Sequence, residues 1–423
     1  MKTLNKLFTF LIMLLVGMAN AQEFVYGDAL PDAPELAARG QHKVGVRTLQ
    51  FIHKNQPDIL NAKDGKAPLY DRDLTVEVWY PAEIDPNDTD LITYNEVMGT
   101  AGDTTRPLIP FTFKGRATRN ARIKSSNESY PLVVVSHGYV GSRYLMTYLT
   151  ENLASKGYIV AAIDHKESTF RDAANFTSTL INRSPDIRFV LESMRSTEGD
   201  AAFFKGSLDA DNMAIVGYSM GGYGVLNVAG GAYSKAFNQG FKQFSGGSDL
   251  LSPLVEDNPE FKPVPEGLKA VVAMAPWGKE RMVWSAESLR GLKVPTFFLA
   301  GDQDDISGYE KGIKAIYEEA VFTERFLLTY ANARHNIAPN PPPAEAMQPG
   351  LHFDEYYRYA EPNWDQRRIN NINQHFITAF LDWKLKGVDT QSYFAEPDEK
   401  GLMKGFKPRT FLGLTLRQNH ASK

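Results

Sequence analysis

The sequence has 423 residues, of which 43% are hydrophobic and 23% charged, as is usual for a globular protein. Its 46 basic and 50 acidic residues give a formal net charge of -4, which excludes the basic excess typical of nucleic-acid-binding proteins. Cysteine is absent, which excludes disulfides, zinc–thiolate sites, iron–sulfur clusters and a cysteine nucleophile.

The N-terminal segment has the three parts of an export signal. Two lysines supply positive charge, the run from Leu7 to Val16 is apolar, and a small-x-small cleavage site ends at Ala21. The apolar run is too short to span a bilayer stably. We therefore expect residues 1–21 to be a signal peptide and residues 22–423 to be one catalytic domain. We expect this domain in the periplasm or the extracellular medium, monomeric and without stable membrane insertion.

The strand patterns predict a mostly parallel central sheet with antiparallel strands at its N-terminal edge. Val44–Ile52 and Leu74–Tyr80 have the composition of paired edge strands, and residues 83–128 are predicted to be irregular. From Pro131 onward, short apolar runs alternate with amphipathic helical patterns, which is typical of a parallel sheet covered by helices on both faces. The runs are Leu132–Val135, Tyr158–Ile163, Met213–Val216, Ala270–Ala275, Thr296–Ala300 and Phe326–Thr329.

Two helices and two insertions are predicted around this sheet. One helix is predicted to begin at Ser184-Pro185, a cap residue followed by a proline, and the last helix to span residues 364–385. Residues 230–265 and 338–362 have weak periodicity and are predicted as insertions that cover the cleft.

A candidate nucleophile lies in Gly217-Tyr218-Ser219-Met220-Gly221-Gly222. A strand pattern precedes this motif and a helix pattern follows it, which favours a nucleophile elbow with Ser219 at its tip. Glycines two positions on either side allow so tight a turn. The alternative is a glycine-rich turn that only packs.

The candidate acid and base occur in the chain order that this arrangement requires, serine, then aspartate, then histidine. Thr296–Ala300 leads into three carboxylates; Asp304 is favoured, and Asp302 and Asp305 are alternatives. His335 follows the next strand and is the candidate base, with His352 as the alternative. Ser219 would attack a carbonyl carbon, while His335 moves the proton and Asp304 orients the imidazole.

The candidate oxyanion hole uses backbone groups. Leu132–Val135 is followed by Ser136-His137-Gly138, a turn whose next N–H, that of Tyr139, can reach an oxyanion. The N–H of Met220 is the second expected donor. His137 is expected to brace this loop rather than to act in catalysis.

These motifs resemble two known groups of esterases. Three segments resemble platelet-activating-factor acetylhydrolases of the secreted serine-lipase type: Val78-Trp79-Tyr80-Pro81, Ser136-His137-Gly138, and Leu153 through His165. Three others resemble bacterial cutinases and polyester hydrolases: the Ser219 motif, Ala275-Pro276-Trp277, and Val294 through Ile306. Those cutinases usually contain disulfides, which this chain lacks. The resemblance to the shared core spans about residues 130–385.

The resemblance implies an α/β-hydrolase fold and serine carboxylesterase activity. The sequence has no His-Glu-x-x-His pattern and no phosphate-cradling glycine-rich loop, so we expect no metal or nucleotide cofactor. It assigns Ser219, Asp304 and His335 to the triad, Tyr139 and Met220 to the oxyanion hole, and Tyr139 and Trp277 to substrate binding. Trp277 has an alternative role in packing beneath residues 230–265. Small or medium acyl esters are the expected substrates, with polyester or cutin-type substrates and phospholipid acetyl esters as alternatives. A peptidase or amidase and a non-catalytic binding protein are the competing hypotheses.

Overall fold

A computed structural model of the chain describes residues 24–85, 89–126, 129–259 and 261–422. The predicted signal peptide, residues 1–21, lies outside the described residues. No helix in these ranges combines the length and the hydropathy needed to cross a membrane.

One large twisted sheet organises the described chain. Its strands lie in the order β13-β12-β11-β10-β9-β7-β8-β2-β1-β5, with β6 paired to β2, and β3 and β4 form a separate hairpin. The strands are β1 (Lys43–Pro57), β2 (Leu69–Glu83), β3 (Ile92–Met98), β4 (Ile109–Gly115), β5 (Thr118–Arg119), β6 (Arg122–Ile123), β7 (Tyr130–Ser136), β8 (Ile159–Asp164), β9 (Leu208–Tyr218), β10 (Leu268–Met274), β11 (Thr296–Gly301), β12 (Arg325–Tyr330) and β13 (Leu414–Asn419).

The centre of the sheet is parallel, from β8 through β7, β9, β10 and β11 to β12. Every residue of β7 and β11 is buried, because helices cover both faces of these strands. β2 pairs antiparallel with both β8 and β1. The predicted fold class, with antiparallel strands at the N-terminal edge, is therefore confirmed.

Two parts of the sheet differ from the sequence prediction. Residues 83–128 are not wholly irregular, since they contain the β3–β4 hairpin together with β5 and β6. In β4, buried Phe111 and Phe113 alternate with Thr112 and Lys114, so a strand pattern was present there but short. β13 adds an antiparallel strand beside β12 at the far edge. The sequence did not predict β13, because most of its residues are polar and exposed.

Two helical layers flank the sheet. α1 (Thr147–Ser155) packs against α7 (Gln366–Lys386) on one face, and α2 (Phe176–Ser196) packs against α3 (Met220–Val228) on the other. The shorter helices are α4 (Lys235–Phe244), α5 (Lys314–Glu319) and α6 (Phe353–Tyr357).

Helix α2 begins earlier than predicted. Asn175, not Ser184, is its N-cap, and its Oδ1 accepts a hydrogen bond from the Thr177 N–H at 3.0 Å. Pro185 therefore lies inside the helix, where it removes one backbone hydrogen bond. The burial of α2 against the sheet outweighs the loss of that hydrogen bond. In this helix Asp186 is buried on the side that faces the sheet.

Candidate active site

Ser219 sits at a strained turn between β9 and α3. Its φ is 54° and its ψ is -113°, a conformation that non-glycine residues rarely adopt. A Cβ at Gly217 would lie 2.2 Å from the Gly221 carbonyl oxygen, and one at Gly221 would lie 2.0 Å from the Ser136 carbonyl oxygen. The two glycines therefore permit the close approach that places the Ser219 side chain at the carboxyl edge of the sheet.

His335 and Asp304 reach Ser219 from the loops that follow β12 and β11. The His335 Nε2 lies 2.9 Å from the Ser219 Oγ, and its Nδ1 lies 2.9 Å and 3.0 Å from the two carboxylate oxygens of Asp304. The structure thus joins the three predicted residues in one hydrogen-bonded series. This geometry allows His335 to accept the Ser219 proton while Asp304 stabilises the resulting charge.

Asp304 is held as a carboxylate. Burial alone would raise its pKa, but the neighbouring His335 and the N–H groups of Ser307 and Ile306 outweigh burial and lower it. These two N–H groups donate to the Asp304 Oδ1 at 2.8 Å and 2.9 Å. The carboxylate is therefore fixed in orientation as well as charge.

The alternative residues have other partners. Asp302 accepts a hydrogen bond from the Asn332 N–H at 2.7 Å, and Asp305 forms an ion pair with Arg334. His352 caps helix α6, where its Nδ1 accepts from the Asp354 N–H at 3.2 Å. None of these three side chains hydrogen-bonds to Ser219 or His335 among the described residues.

Two backbone N–H groups beside Ser219 are free to receive an oxyanion. Met220 directly follows Ser219, and Tyr139 follows Gly138, where a Cβ would lie only 3.2 Å from the Ser219 Cβ. Among the described residues, neither the Met220 nor the Tyr139 N–H donates to a protein acceptor. Paired unsatisfied donors next to a serine are what a tetrahedral intermediate requires.

A buried network contacts the Tyr139 loop, and of its members the sequence reasoning named His137 but not Arg183. The His137 Nδ1 lies 2.6 Å from the Gly138 carbonyl oxygen, and Arg183 donates to the His137 carbonyl oxygen at 2.6 Å. Burial lowers the pKa of His137 well below its ordinary value, so the ring is neutral. His137 contacts the loop rather than the Ser219–His335 pair.

The same network contains a second Ser–His–Asp set. The Ser136 Oγ lies 2.8 Å from the His165 Nε2, and the His165 Nδ1 lies 3.1 Å from an Asp186 carboxylate oxygen. Arg72 donates two hydrogen bonds to Asp186, at 2.9 Å and 3.0 Å. Ser136 ends β7 and His165 directly follows β8, the parallel strand beside it. The positions of these two residues after predicted neighbouring strands could have indicated from the sequence that they lie close together.

Glu361 anchors the loop that carries His335. Its two carboxylate oxygens accept hydrogen bonds from the N–H groups of Arg334 and Asn336, each at 2.6 Å. The residues on both sides of His335 are thereby fixed by one side chain. No local pattern links Glu361 to His335, and sequence reasoning did not find it.

A cavity of about 220 Å³ opens onto the Ser219 side chain. It is smaller than most ligand pockets, which start at about 300 Å³. Its walls are Gly138, Tyr139, Val140, Leu145, Phe170, Tyr218, Ser219, Ile306, His335, Asn336, Asp354, Tyr357 and Arg358. Among the described residues, no group of three or more possible histidine, aspartate or glutamate metal ligands occurs.

Of the two predicted substrate-binding residues, Tyr139 and Trp277, only Tyr139 lines this cavity. Tyr139 lines it, and the Tyr139 ring packs against Phe176, whose ring in turn packs against Trp277. Trp277 is half-buried, and its backbone N–H donates to the Ser219 carbonyl oxygen at 3.2 Å, but it is not part of the cavity wall.

The two predicted insertions line different cavities. Residues 338–362 supply three of the cavity's wall residues, Asp354, Tyr357 and Arg358. Residues 230–265 instead line a different cavity, beside Phe189.

Comparison with known proteins finds similarity to proteins that are named as ester hydrolases. The profile of the family described as platelet-activating factor acetylhydrolase, isoform II, matches residues 36–198. Cutinase est1 of Thermobifida alba is 26% identical over 215 residues, which are 51% of this chain and 56% of that protein. The platelet-activating factor acetylhydrolase of Cavia porcellus is 26% identical over 227 residues, 44% of this chain and 50% of that protein.

A solved structure extends the likeness to most of the chain. A ferulic acid esterase from Streptomyces cinnamoneus matches with a TM-score of 0.53 at 20% sequence identity, covering 84% of this chain and 94% of that one. The chain has the α/β-hydrolase fold. The resemblance to secreted-type acetylhydrolases and to cutinases is also confirmed, although the chain spans only about half the length of the curated relatives it matches.

Proposed function

We propose that this protein is an exported serine carboxylic-ester hydrolase. One observation carries the proposal: the Ser219 Oγ lies 2.9 Å from the His335 Nε2 at the wall of a cavity, beside two N–H groups that have no protein acceptor among the described residues. The similar proteins support it, since their names are those of a cutinase, an acetylhydrolase and a ferulic acid esterase.

In the first half-reaction, Ser219 attacks the ester carbonyl carbon. Its proton passes to the His335 Nε2, and the carbonyl oxygen becomes an oxyanion that the Tyr139 and Met220 N–H groups stabilise. When the carbon–oxygen bond breaks, His335 returns the proton to the leaving alcohol. The acyl group stays on Ser219.

In the second half-reaction, water replaces the alcohol. His335 takes a proton from this water as it attacks the acyl carbon, and then returns the proton to the Ser219 oxygen as the acid leaves. Asp304 stabilises the imidazolium in both steps. Because its pKa lies below its usual range, it remains charged throughout.

We propose short acyl esters as the preferred substrates, because the cavity of about 220 Å³ leaves little room for a long chain. Polyester or cutin-type substrates and phospholipid acetyl esters are the alternatives that the names of the relatives support.

A chain-length series of p-nitrophenyl esters from acetate to palmitate tests this proposal, with Ser219→Ala as the blank. We expect turnover to be highest for the shortest acyl groups and a fluorophosphonate probe to label the wild type but not the variant. Full turnover by Ser219→Ala would refute the mechanism. Sustained turnover of long chains would instead favour the polymer substrates, with polyester film as the next test.

Export is tested separately. Expression of the full chain, followed by N-terminal sequencing of the protein in the periplasm and the medium, should give a mature chain that begins at Gln22. Recovery of the intact N-terminus from the cytoplasm would contradict export.

A further inference from the structure

One arginine in the wall of the Ser219 cavity has no hydrogen-bonded or charged side-chain partner among the described residues. Arg358 directly follows helix α6 and lines the same cavity as Ser219 and His335. Its Nη1 is buried, and its guanidinium makes no hydrogen bond or ion pair with any residue that the structure describes. Buried charged groups in proteins are almost always paired, so a lone guanidinium beside a nucleophile indicates that its partner comes from outside.

The carboxylates near Arg358 are already bound to another arginine. Arg106 donates to the Glu355 carboxylate at 2.6 Å and to the Asp354 carboxylate at 3.0 Å. Burial, together with the positive charge of Arg106, lowers the pKa of Arg358, and the nearby charges of Glu355 and Asp354 offset this only in part. The negative charge of an anion bound at Arg358 would act in the same direction as these two carboxylates.

Two fully buried arginines show how a guanidinium finds protein acceptors elsewhere in this protein. Arg72 binds the carboxylates of Asp186 and Glu167. Arg183 donates to the His137 carbonyl oxygen and to the Ser168 hydroxyl, although its Nε has no hydrogen-bond partner among the described residues. Arg358 differs from both because it faces a cavity rather than a set of protein acceptors.

Arg358 lies within electrostatic reach of two tyrosines that line the Ser219 cavity. Burial raises the pKa of the Tyr139 and Tyr218 hydroxyls, and the charge of Arg358 acts on both in the opposite direction. The Arg358 guanidinium carbon also lies 5.9 Å from the centre of the Phe170 ring, which forms another part of the wall. A substrate group bound at Arg358 is therefore held in the same small cavity as the scissile carbonyl.

We propose that Arg358 binds an anionic group of the substrate, so that the preferred esters carry a carboxylate or another oxyanion near the scissile bond. The planar guanidinium presents several N–H donors that match two oxygens of a carboxylate or a phosphate-type group. This inference rests on the proposed ester hydrolase function and specifies its substrate class.

The test compares four p-nitrophenyl esters of equal chain length. They are the neutral hexanoate, the adipate monoester with a terminal carboxylate, its terminal phosphonate analogue, and an ω-amino analogue with a terminal cation. For the wild type we expect kcat/KM for at least one anionic ester to exceed that for the neutral ester by about tenfold or more. The cationic ester should be the slowest, and added salt should reduce the preference.

Variants at Arg358 identify the source of this preference. Arg358→Gln should bring the ratio of kcat/KM for the anionic ester to that for the neutral ester close to one. Arg358→Lys, which keeps the positive charge, should retain part of the preference. Arg171→Gln is the matched control, because Arg171 is an exposed arginine next to Phe170 that does not line the cavity. This control should leave the ratio unchanged. Thermal melting of each variant verifies that it is folded.

The outcomes separate the two proposals. A preference for either oxyanion that depends on Arg358 supports the inference, and the faster of the two anionic esters identifies the group. A wild-type ratio near one, or equal losses on both esters in Arg358→Gln, would overturn it while leaving the esterase proposal intact. Hydrolysis of the neutral ester by Ser219→Ala would instead refute the esterase proposal itself.

Discussion

The part of the chain that the structure describes contains two Ser–His–Asp sets, and they share their hydrogen-bond pattern but not their surroundings. In one, Ser219, His335 and Asp304 meet at the wall of a cavity. In the other, Ser136, His165 and Asp186 are each at most 1% exposed, and none lines the Ser219 cavity. Serine–histidine distances of 2.9 Å and 2.8 Å do not distinguish them.

The electrostatics of the two sets differ more than their geometry. Burial, together with the charges of Arg183 and Arg72, lowers the pKa of His165 to about 3, which leaves its ring a poor proton acceptor. Burial would raise the pKa of Asp186, but Arg72 and His165 outweigh burial and lower it to about 2. The comparison teaches that a serine, a histidine and an aspartate form a candidate triad only where a substrate and an oxyanion can also be placed.

The largest expected effect separates the two serines. Ser219→Ala should lower kcat/KM for a short p-nitrophenyl ester by about 10⁴- to 10⁶-fold, because the nucleophile is lost. Ser136→Ala should lower it by less than about tenfold, since that hydroxyl supports a loop and does not contact the cavity. Steady-state kinetics and fluorophosphonate labelling of both variants make the comparison. Loss of labelling in Ser136→Ala with an intact fold would contradict it.

Replacement of Asp304 should reduce activity, whereas replacement of Asp186 should reduce stability. Asp304→Asn should reduce kcat by about 10⁴-fold while the protein stays folded, because the asparagine no longer stabilises the imidazolium. Asp186→Asn should instead lower the free energy of unfolding by about 3–5 kcal/mol, because it removes the fully buried one of the two carboxylates that pair with Arg72. Urea unfolding and ester kinetics of both variants test this pair.

An exposed ion pair provides the control for the measured stability of Asp186→Asn. Asp73 pairs with Lys166 at the surface, and its side chain is 66% exposed. Asp73→Asn should change the free energy of unfolding by less than about 1 kcal/mol. Similar losses in Asp73→Asn and Asp186→Asn would show that burial does not distinguish them.

A further expected effect is a pH dependence of stability. Between about pH 6.5 and pH 3 the unfolded chain binds a proton at His165 and the folded protein does not, so the free energy of unfolding decreases as the pH falls through this window. The low pKa of Asp186 adds a further loss below about pH 4. Urea unfolding across the window should show a shallower slope for His165→Gln than for the wild type.

His420→Gln is the matched control for this prediction. His420 is an exposed histidine near the C-terminus, so its replacement should leave the slope unchanged. Equal slopes in the wild type and His165→Gln would contradict a neutral, buried His165.

Sequence patterns predicted the parts of the molecule that depend on local order. The elbow around Ser219 and the loops carrying Asp304 and His335 come after core strands in the expected order, so the sheet brings them together. The sequence favoured Asp304 over Asp302 and Asp305, and Asp304 is the one of the three that hydrogen-bonds to His335. The choice depends on which carboxylate the turn after β11 directs inward.

The remaining residues could not be predicted because they act across long stretches of sequence. The expected helix start at Ser184-Pro185 was nine residues too late, and Asp186, which would have followed it directly, is instead buried in the middle of α2. Glu361 and Arg358 lie in a segment without periodicity. Their roles depend on how that segment packs back onto the cavity.

The bond pattern of Glu361 has a consequence for protein engineering. Residues 338–362 both narrow the cleft and, through Glu361, hold the backbone on either side of His335. A redesign that deletes this segment to admit bulky polymers would also release the histidine. A shortened loop that keeps the carboxylate at 361 is therefore the better starting point for enlarging the substrate range.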